Sequence, residues 1–201
     1  MRTIYLFALL LLISGCSTLK TSQPKLTDSQ KKTAWLTHKN TLNEIDEWQF
    51  SGRFSAQNET ESWHGSISWT QKQNHFNILI SGPLSSGSMS LSGDNKNSTL
   101  KLSNDHLFES SDPEALLEEH TGLQLPVKSL RYWLIGIPSN HNYSSTLNPH
   151  GQLDQLTQKG WDIAFKRYKQ INNLALPNKI FLNNSEYTVR LVIKHWQILP
   201  S

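Results

Sequence analysis

The chain has 201 residues, a single cysteine and a formal net charge of only +3 at pH 7. One cysteine excludes an intrachain disulfide, so the fold has to be held by its core. The small charge, with no basic block, gives no support to nucleic-acid binding or to strong attraction for acidic lipids. Eight histidines are present, but none falls in an HxH or HExxH spacing, so no metal site has local support. There is no G-x-S-x-G elbow and no glycine-rich phosphate loop, which leaves no nucleophile of the hydrolase kind and no route to ATP hydrolysis. The carboxylate pairs Glu59/Glu61 and Glu118/Glu119 read as solvated turn and helix residues. No enzyme activity, cofactor or metal is therefore expected. Past the first residues, no segment is apolar enough to suggest a membrane-spanning helix.

The one apolar run is at the start. Arg2 precedes Ile4–Ile13 (IYLFALLLLI), and Ser14, Gly15 and Cys16 follow. A basic start, a short apolar core and small residues before a cut site describe a secretory signal. Ile13–Cys16 resembles the bacterial lipoprotein lipobox, which implies removal of residues 1–15 and lipidation of Cys16. Two or more acyl chains anchor a protein firmly, at about 0.8 kcal/mol per buried methylene. In lipoproteins of this kind an aspartate after the cysteine favours the inner membrane; here the residue is Ser17, which implies the outer one. Residues 16–27 then read as a lipidated N-terminus and tether, and 28–201 as one domain.

Thr27 and Gln30 have capping-box spacing, and Trp35, His38, Leu42 and Ile45 fall on one stripe, predicting a helix over 28–46. From Trp48 the period becomes two. Trp48, Phe50, Gly52, Phe54 and Ala56 alternate with polar residues, as do Trp63, Gly65, Ile67 and Trp69, then Phe76, Ile78 and Ile80, then Met89 and Leu91, then Leu100 and Leu102. Strict alternation predicts antiparallel strands with one dry face. Asp112 and Pro113 open a helix that stops at Gly122, and Pro126 opens another that stops at Gly136. Residues 139–150 read as a polar loop. Strands resume at 153–158, 161–168, 179–183 and 187–199, with His195 on the apolar side of the last.

About ten strands sharing one apolar face cannot be covered by three modest helices, and a flat uncovered face would aggregate. The economical answer is a mainly β fold: a single antiparallel sheet curled into a barrel or half-barrel, apolar inside, with about three helices covering or plugging it. At this strand number the interior is wide enough for a ligand cavity with an uncharged lining, suited to a lipid or acyl chain. Helices that fill the interior completely would leave only a solid core. The cavity candidates are Trp35, Trp48, Phe50, Trp63, Ile67, Trp69, Ile78, Ile80, Leu91, Leu130, Trp133 and Leu134.

Several segments together resemble one family, the outer-membrane lipoprotein receptor LolB. They are the lipobox, Trp48–Arg53 (WQFSGR), Gly82–Ser85 (GPLS), Leu125–Pro138 (LPVKSLRYWLIGIP), Gly160-Trp161, Leu176-Pro177, and Val189–Ile193 with Trp196. The resemblance runs over essentially the whole mature chain. It implies an unclosed β-barrel with an apolar cavity for acyl chains. It also implies a monomer that accepts lipoproteins from a soluble periplasmic, LolA-like carrier and inserts them, without ATP, into the inner leaflet of the outer membrane. The family's protruding loop bears an exposed apolar residue, and Pro83 and Leu84 match it, although the family's turn often reads Asn-Pro-Leu-Gly. Two other readings of the residues stay open: an outer-membrane-anchored binding protein for another lipid or amphiphile, and an assembly lipoprotein with a solid core.

Overall fold

The structure is a computed structural model that describes residues 26–82 and 87–199. The signal segment, Cys16, and Pro83 and Leu84 lie outside the described residues.

The first helix, α1 (Asp28–Asn43), begins with the capping box that the spacing predicted. The Thr27 side chain accepts from the Gln30 N–H, and Gln30 reaches back to the Thr27 N–H. It ends before Ile45, three residues short of the expected boundary. Six strands follow: β1 (Glu47–Gln57), β2 (Ser62–Lys72), β3 (His75–Ser81), β4 (Ser88–Gly93), β5 (Ser98–Leu102) and β6 (Leu107–Ser110). Two helices, α2 (Pro113–Thr121) and α3 (Val127–Ile135), separate them from β7 (Ser144–Leu147), β8 (Leu153–Gln158), β9 (Trp161–Ile171), β10 (Leu174–Asn183) and β11 (Thr188–Ile198).

All eleven strands form one antiparallel sheet in the order β6-β5-β4-β3-β2-β1-β11-β10-β9-β8-β7. Because β1 pairs with β11 in its middle, the chain leaves the sheet at one edge, β6, and rejoins it at the other, β7. The two edges do not pair with each other, so the barrel is unclosed. The gap is bordered by the helices. α2 packs on β5 and β6, α3 on β10, and α1 on β7. Asp112 caps α2 by accepting from the Glu114 N–H. Gly136 ends α3 at φ +88°, and a side chain there would press on Pro177, so this left-handed stop also lets the helix end lie against β10.

Four local expectations change. Residues 139–150 are not a plain loop, because they contain the edge strand β7, and β6 was likewise not expected. Both are four-residue edge strands with little burial, which leave almost no periodic signal. β9 and β10 extend further than alternation predicted and meet in a two-residue hairpin. Its turn residues, Asn172 and Asn173, have φ of 47° and 65°, a type I′ pattern that asparagine tolerates. Finally, His195 is exposed rather than on the apolar side. Ser51 pairs with His195 while Gly52 pairs with Ile193, so Lys194 is an extra residue in β11. This bulge reverses the alternation beyond it, turning His195 outward and Trp196 inward. Gly52 makes room for it: a side chain there would collide with the Val192 carbonyl.

Candidate functional site

Along the concave face of β1 the inward side chains change from aromatic to mixed. Trp48 and Phe50 come first and Phe54 and Ala56 last, all buried. The first two belong to a cluster with Trp69 and Trp196, whose ring centroids lie 5.7 Å (Trp48–Trp69), 5.6 Å (Trp48–Trp196) and 5.3 Å (Phe50–Trp196) apart. Its indoles are tied down as well as packed: Trp196 Nε1 donates to the Pro177 carbonyl at 2.8 Å, and Trp69 Nε1 to Gln71 Oε1 at 3.2 Å. Trp133, on α3, is fully buried and donates to Gln158 Oε1 at 2.8 Å. The same oxygen accepts from the Ser139 N–H and hydroxyl, so one buried glutamine fixes the end of α3 and the loop after it.

Beyond Trp69 the packing opens into an internal void of about 20 Å³, room for about one water molecule. Only apolar surface faces it. Of the residues nominated from sequence, Ile67, Trp69, Ile78, Ile80, Leu91 and Leu130 line this void. Trp48, Phe50, Trp133 and Leu134 are buried in the packed region beside it. Trp35 is buried on α1, and Trp63 is half-buried at the end of β2 near Tyr187. Six further residues line it: Phe54, Met89, Leu117, Leu125, Val127 and Leu191. The strand members among these were visible as inward positions of their alternating runs. Leu117, Leu125 and Val127 carry no such signal, because only the crossing of α2 and α3 over the sheet brings them there.

α2 and α3 roof the void, and they hold each other by polar contacts at their exposed side. The Lys128 N–H donates to Glu114 Oε1 at 3.0 Å, and Lys128 Nζ lies 3.2 Å from Asp112 Oδ1. Burial by itself would raise the pKa of Asp112, but hydrogen bonds and charge from Lys128 and the N–H of Glu114 hold it below the usual carboxylate range. Arg131 Nη2 reaches from α3 to the Gln73 carbonyl at the β2–β3 turn, at 2.9 Å. Tyr187 Oη donates to the Gly122 carbonyl at 2.9 Å, fastening the end of α2 to the β10–β11 turn.

The void adjoins an open groove of about 520 Å³ at the end of β2–β5, and Ile80 and Met89 line both. Gly82 and Gly87 also line the groove and are joined by a 3.0 Å hydrogen bond from the Gly82 N–H to the Gly87 carbonyl. The two residues that flank the segment carrying Pro83 and Leu84 therefore lie on the rim of this groove. Among the described residues there is no group of three or more side chains able to hold a metal ion.

The family model for "Outer membrane lipoprotein LolB" matches residues 46–196, from the start of β1 to the inward-turned Trp196. The chain belongs to the LolB family. It is 38% identical over 191 residues to the outer-membrane lipoprotein LolB of Nitrosococcus oceani, covering 94% of each chain. It is 35% identical to that of Ectopseudomonas mendocina, covering 98% of this chain and 97% of the relative, and 37% identical to that of Pseudomonas aeruginosa, covering 94% and 92%. Like these LolB proteins it is an outer-membrane lipoprotein, lipid-anchored and facing the periplasm, and LolB serves lipoprotein localisation, a role without catalysis. The fold is shared more widely. A LolA superfamily protein from Nitrosomonas europaea superposes with a TM-score of 0.55 over 85% of this chain and 94% of that one, at 8% identity. The likeness is one of fold, at an identity too low to show it in sequence.

Proposed function

We propose that this protein takes lipoproteins from a soluble, LolA-like periplasmic carrier by drawing their acyl chains into the aliphatic part of its interior. It then releases them into the inner leaflet of the outer membrane without ATP. Cys16 carries its own anchor. The observation that carries the reading is the wholly apolar void beneath α2 and α3, with an open groove next to it that shares Ile80 and Met89. A void of about 20 Å³ admits no acyl chain, so loading requires the two helices to lift. Apart from the polar ties of Trp133 to Gln158, Arg131 to Gln73 and Gly122 to Tyr187, they meet the sheet through apolar side chains, and the incoming chains replace the apolar contacts that lifting breaks. The bound state thus competes with a closed state of similar chemistry, which suits transient holding better than storage.

Direction without ATP needs only a gradient of affinity. A preference of about 1.4 kcal/mol at each step gives a tenfold bias. Burial of Leu84 in the bilayer surface would contribute about 1.5–3 kcal/mol, small beside a lipid anchor, so the loop's part is to orient the groove toward the membrane and release cargo there. Leu84→Glu is expected to accept lipoprotein from the carrier nearly as wild type and to fail in delivery.

The test is transfer itself. The full lipidated protein is placed in vesicles, supplied with a carrier loaded with fluorescent lipoprotein and no nucleotide, and the vesicles are floated. Floated lipoprotein is expected to be in the bilayer and no longer crosslinkable to the protein with the wild type, and to stay crosslinkable to it with Leu84→Glu. Lipoprotein that stays on the carrier with the wild type refutes the reading; delivery by Leu84→Glu at the normal rate refutes the loop's role.

A further inference from the structure

The convex face of the sheet is divided by charge. Strands β1, β9, β10 and β11 hold seven lysines and arginines against two carboxylates, Glu47 and Asp162, each near a strand end. Pairing sets Arg53, Val192, Lys179 and Arg167 in one row across these strands, about 15 Å long at the usual strand spacing. Phe54 and Leu191, their neighbours in the chain, line the void, so this row points out of the opposite side of the sheet. Beside it, Lys179 Nζ and Arg190 Cζ lie 5.2 Å and 5.5 Å from the ring centroid of the half-buried Phe181. Lys194, the bulge residue, borders an open depression together with Arg53, Ser51, Ser66 and Ser68. Among the described residues none of these cations forms an ion pair. On β2, β3 and β4 the outward positions are instead neutral: Ser66, Ser68, Asn77, Leu79, Ser90 and Ser92. The sequence scatters the cations between positions 53 and 194, and only the pairing of β1 with β11 gathers them.

We propose that this cationic face docks on anionic phospholipid at the bilayer surface and so holds the anchored protein with its helix-covered side turned toward the periplasm. Each cation near an anionic surface favours docking about fivefold, and Val192 and Phe181 add apolar contact between the charges. The surface is always within reach: the eleven residues between Cys16 and α1 span at most about 40 Å. An acidic protein would satisfy the same charges, but a carrier seated here would have the sheet between its cargo and the void. The docked posture leaves α2, α3 and the groove free to meet a carrier. Because the attraction is electrostatic and screened by salt, it is reversible, and the protein can turn its rim to the membrane for delivery. The proposal uses the lipid anchor and the charges alone, and it stands or falls apart from the acyl-chain reading.

The test reads which face lies on the membrane. Cys16 is the only cysteine and carries the anchor, so Ser66→Cys, directly across from Arg53, supplies one free thiol for a fluorophore. The labelled, full lipidated protein is placed in vesicles of phosphatidylcholine bearing a headgroup nitroxide, with or without phosphatidylglycerol. Quenching is expected only where phosphatidylglycerol is present, and is expected to fade at high salt. Arg53→Gln and Lys179→Gln together are expected to lower the ratio of docked to undocked protein roughly tenfold or more. Lys96→Gln and Lys159→Gln together remove the same charge from two turns and are expected to keep the wild-type ratio. No quenching in either vesicle, equal quenching in both, or an equal loss in the two double variants overturns the proposal. A label that is never quenched but is shielded when a loaded carrier is added gives the face to the carrier and overturns it as well.

Discussion

At one end of the concave face Trp48, Phe50, Trp69 and Trp196 pack ring against ring, and two of the indoles are hydrogen-bonded. At the other end Ile67, Ile78, Ile80, Leu91 and Leu130 surround a void with no polar atom to hold any of them in place. Trp69 is the wall between the two regions. Aromatic clusters gain about 0.5–1.5 kcal/mol per ring pair beyond their burial, and only in particular geometries. Branched aliphatic side chains gain by area and accept other apolar partners equally well. The difference teaches where such a fold can open: the ring cluster keeps the sheet curled, while the aliphatic end exchanges one apolar neighbour for another.

The sharpest way to break this division is to empty each region in turn. Trp48→Ala removes the ring that touches three others and is expected to cost about 3–5 kcal/mol, read as a fall in the urea midpoint with little change in slope. If its cost is below about 1 kcal/mol, the cluster is not what holds the sheet. A matched pair on α3 is finer. Leu134 is fully buried in packed surroundings, and Leu130, one turn earlier, lines the void. Leu134→Ala is expected near the top of the 2–5 kcal/mol range for such truncations and Leu130→Ala near the bottom, because side chains beside a void have already forfeited contacts. Equal costs would mean that the two regions are packed alike.

Most of the sheet was legible in sequence because its strands are long and half-buried, so that period two is written over seven to eleven residues at a time. The caps of α1 and α2 were legible for a local reason: Thr27, Gln30, Asp112 and Pro113 act on their own backbone. Two things were not. The bulge at Lys194 has no signature of its own, since KHWQI alternates as well with His195 inward as outward. Only the partner strand, with Gly52 opposite, decides it. The division of the interior was equally hidden. Alternation places Trp48 and Ile78 on one face, but which of them borders the void depends on where α2 and α3 cross, a non-local fact. The twelve residues nominated for the cavity included five tryptophans. Of the five nominated for it, Trp69 alone lines the void.

Acidification gives the smallest perturbation, and on α1 it acts through one group. His38 lies on α1, half-buried near Trp35, and its buried Nε2 has no hydrogen-bond partner among the described residues. Burial pushes its pKa below the ordinary value of 6.5, against a smaller opposing effect of a hydrogen bond with the Ala175 backbone. The native state therefore keeps His38 neutral where the unfolded chain already binds a proton. Stability from this group is complete above about pH 6.5 and is lost progressively as pH falls from there toward the lower native pKa. Asp94, Asp105 and Asp112, whose pKa values are also lowered, lose their contributions only in the more acidic carboxylate range and do not blur this window. Urea midpoints measured between pH 7.5 and about 5.5 should decline in the wild type and decline less in His38→Leu, which keeps an apolar side chain at the site. Parallel declines would assign the acid sensitivity to another histidine and leave α1 without a part in it. A decline confined to the wild type would show that acid loosens the fold through α1.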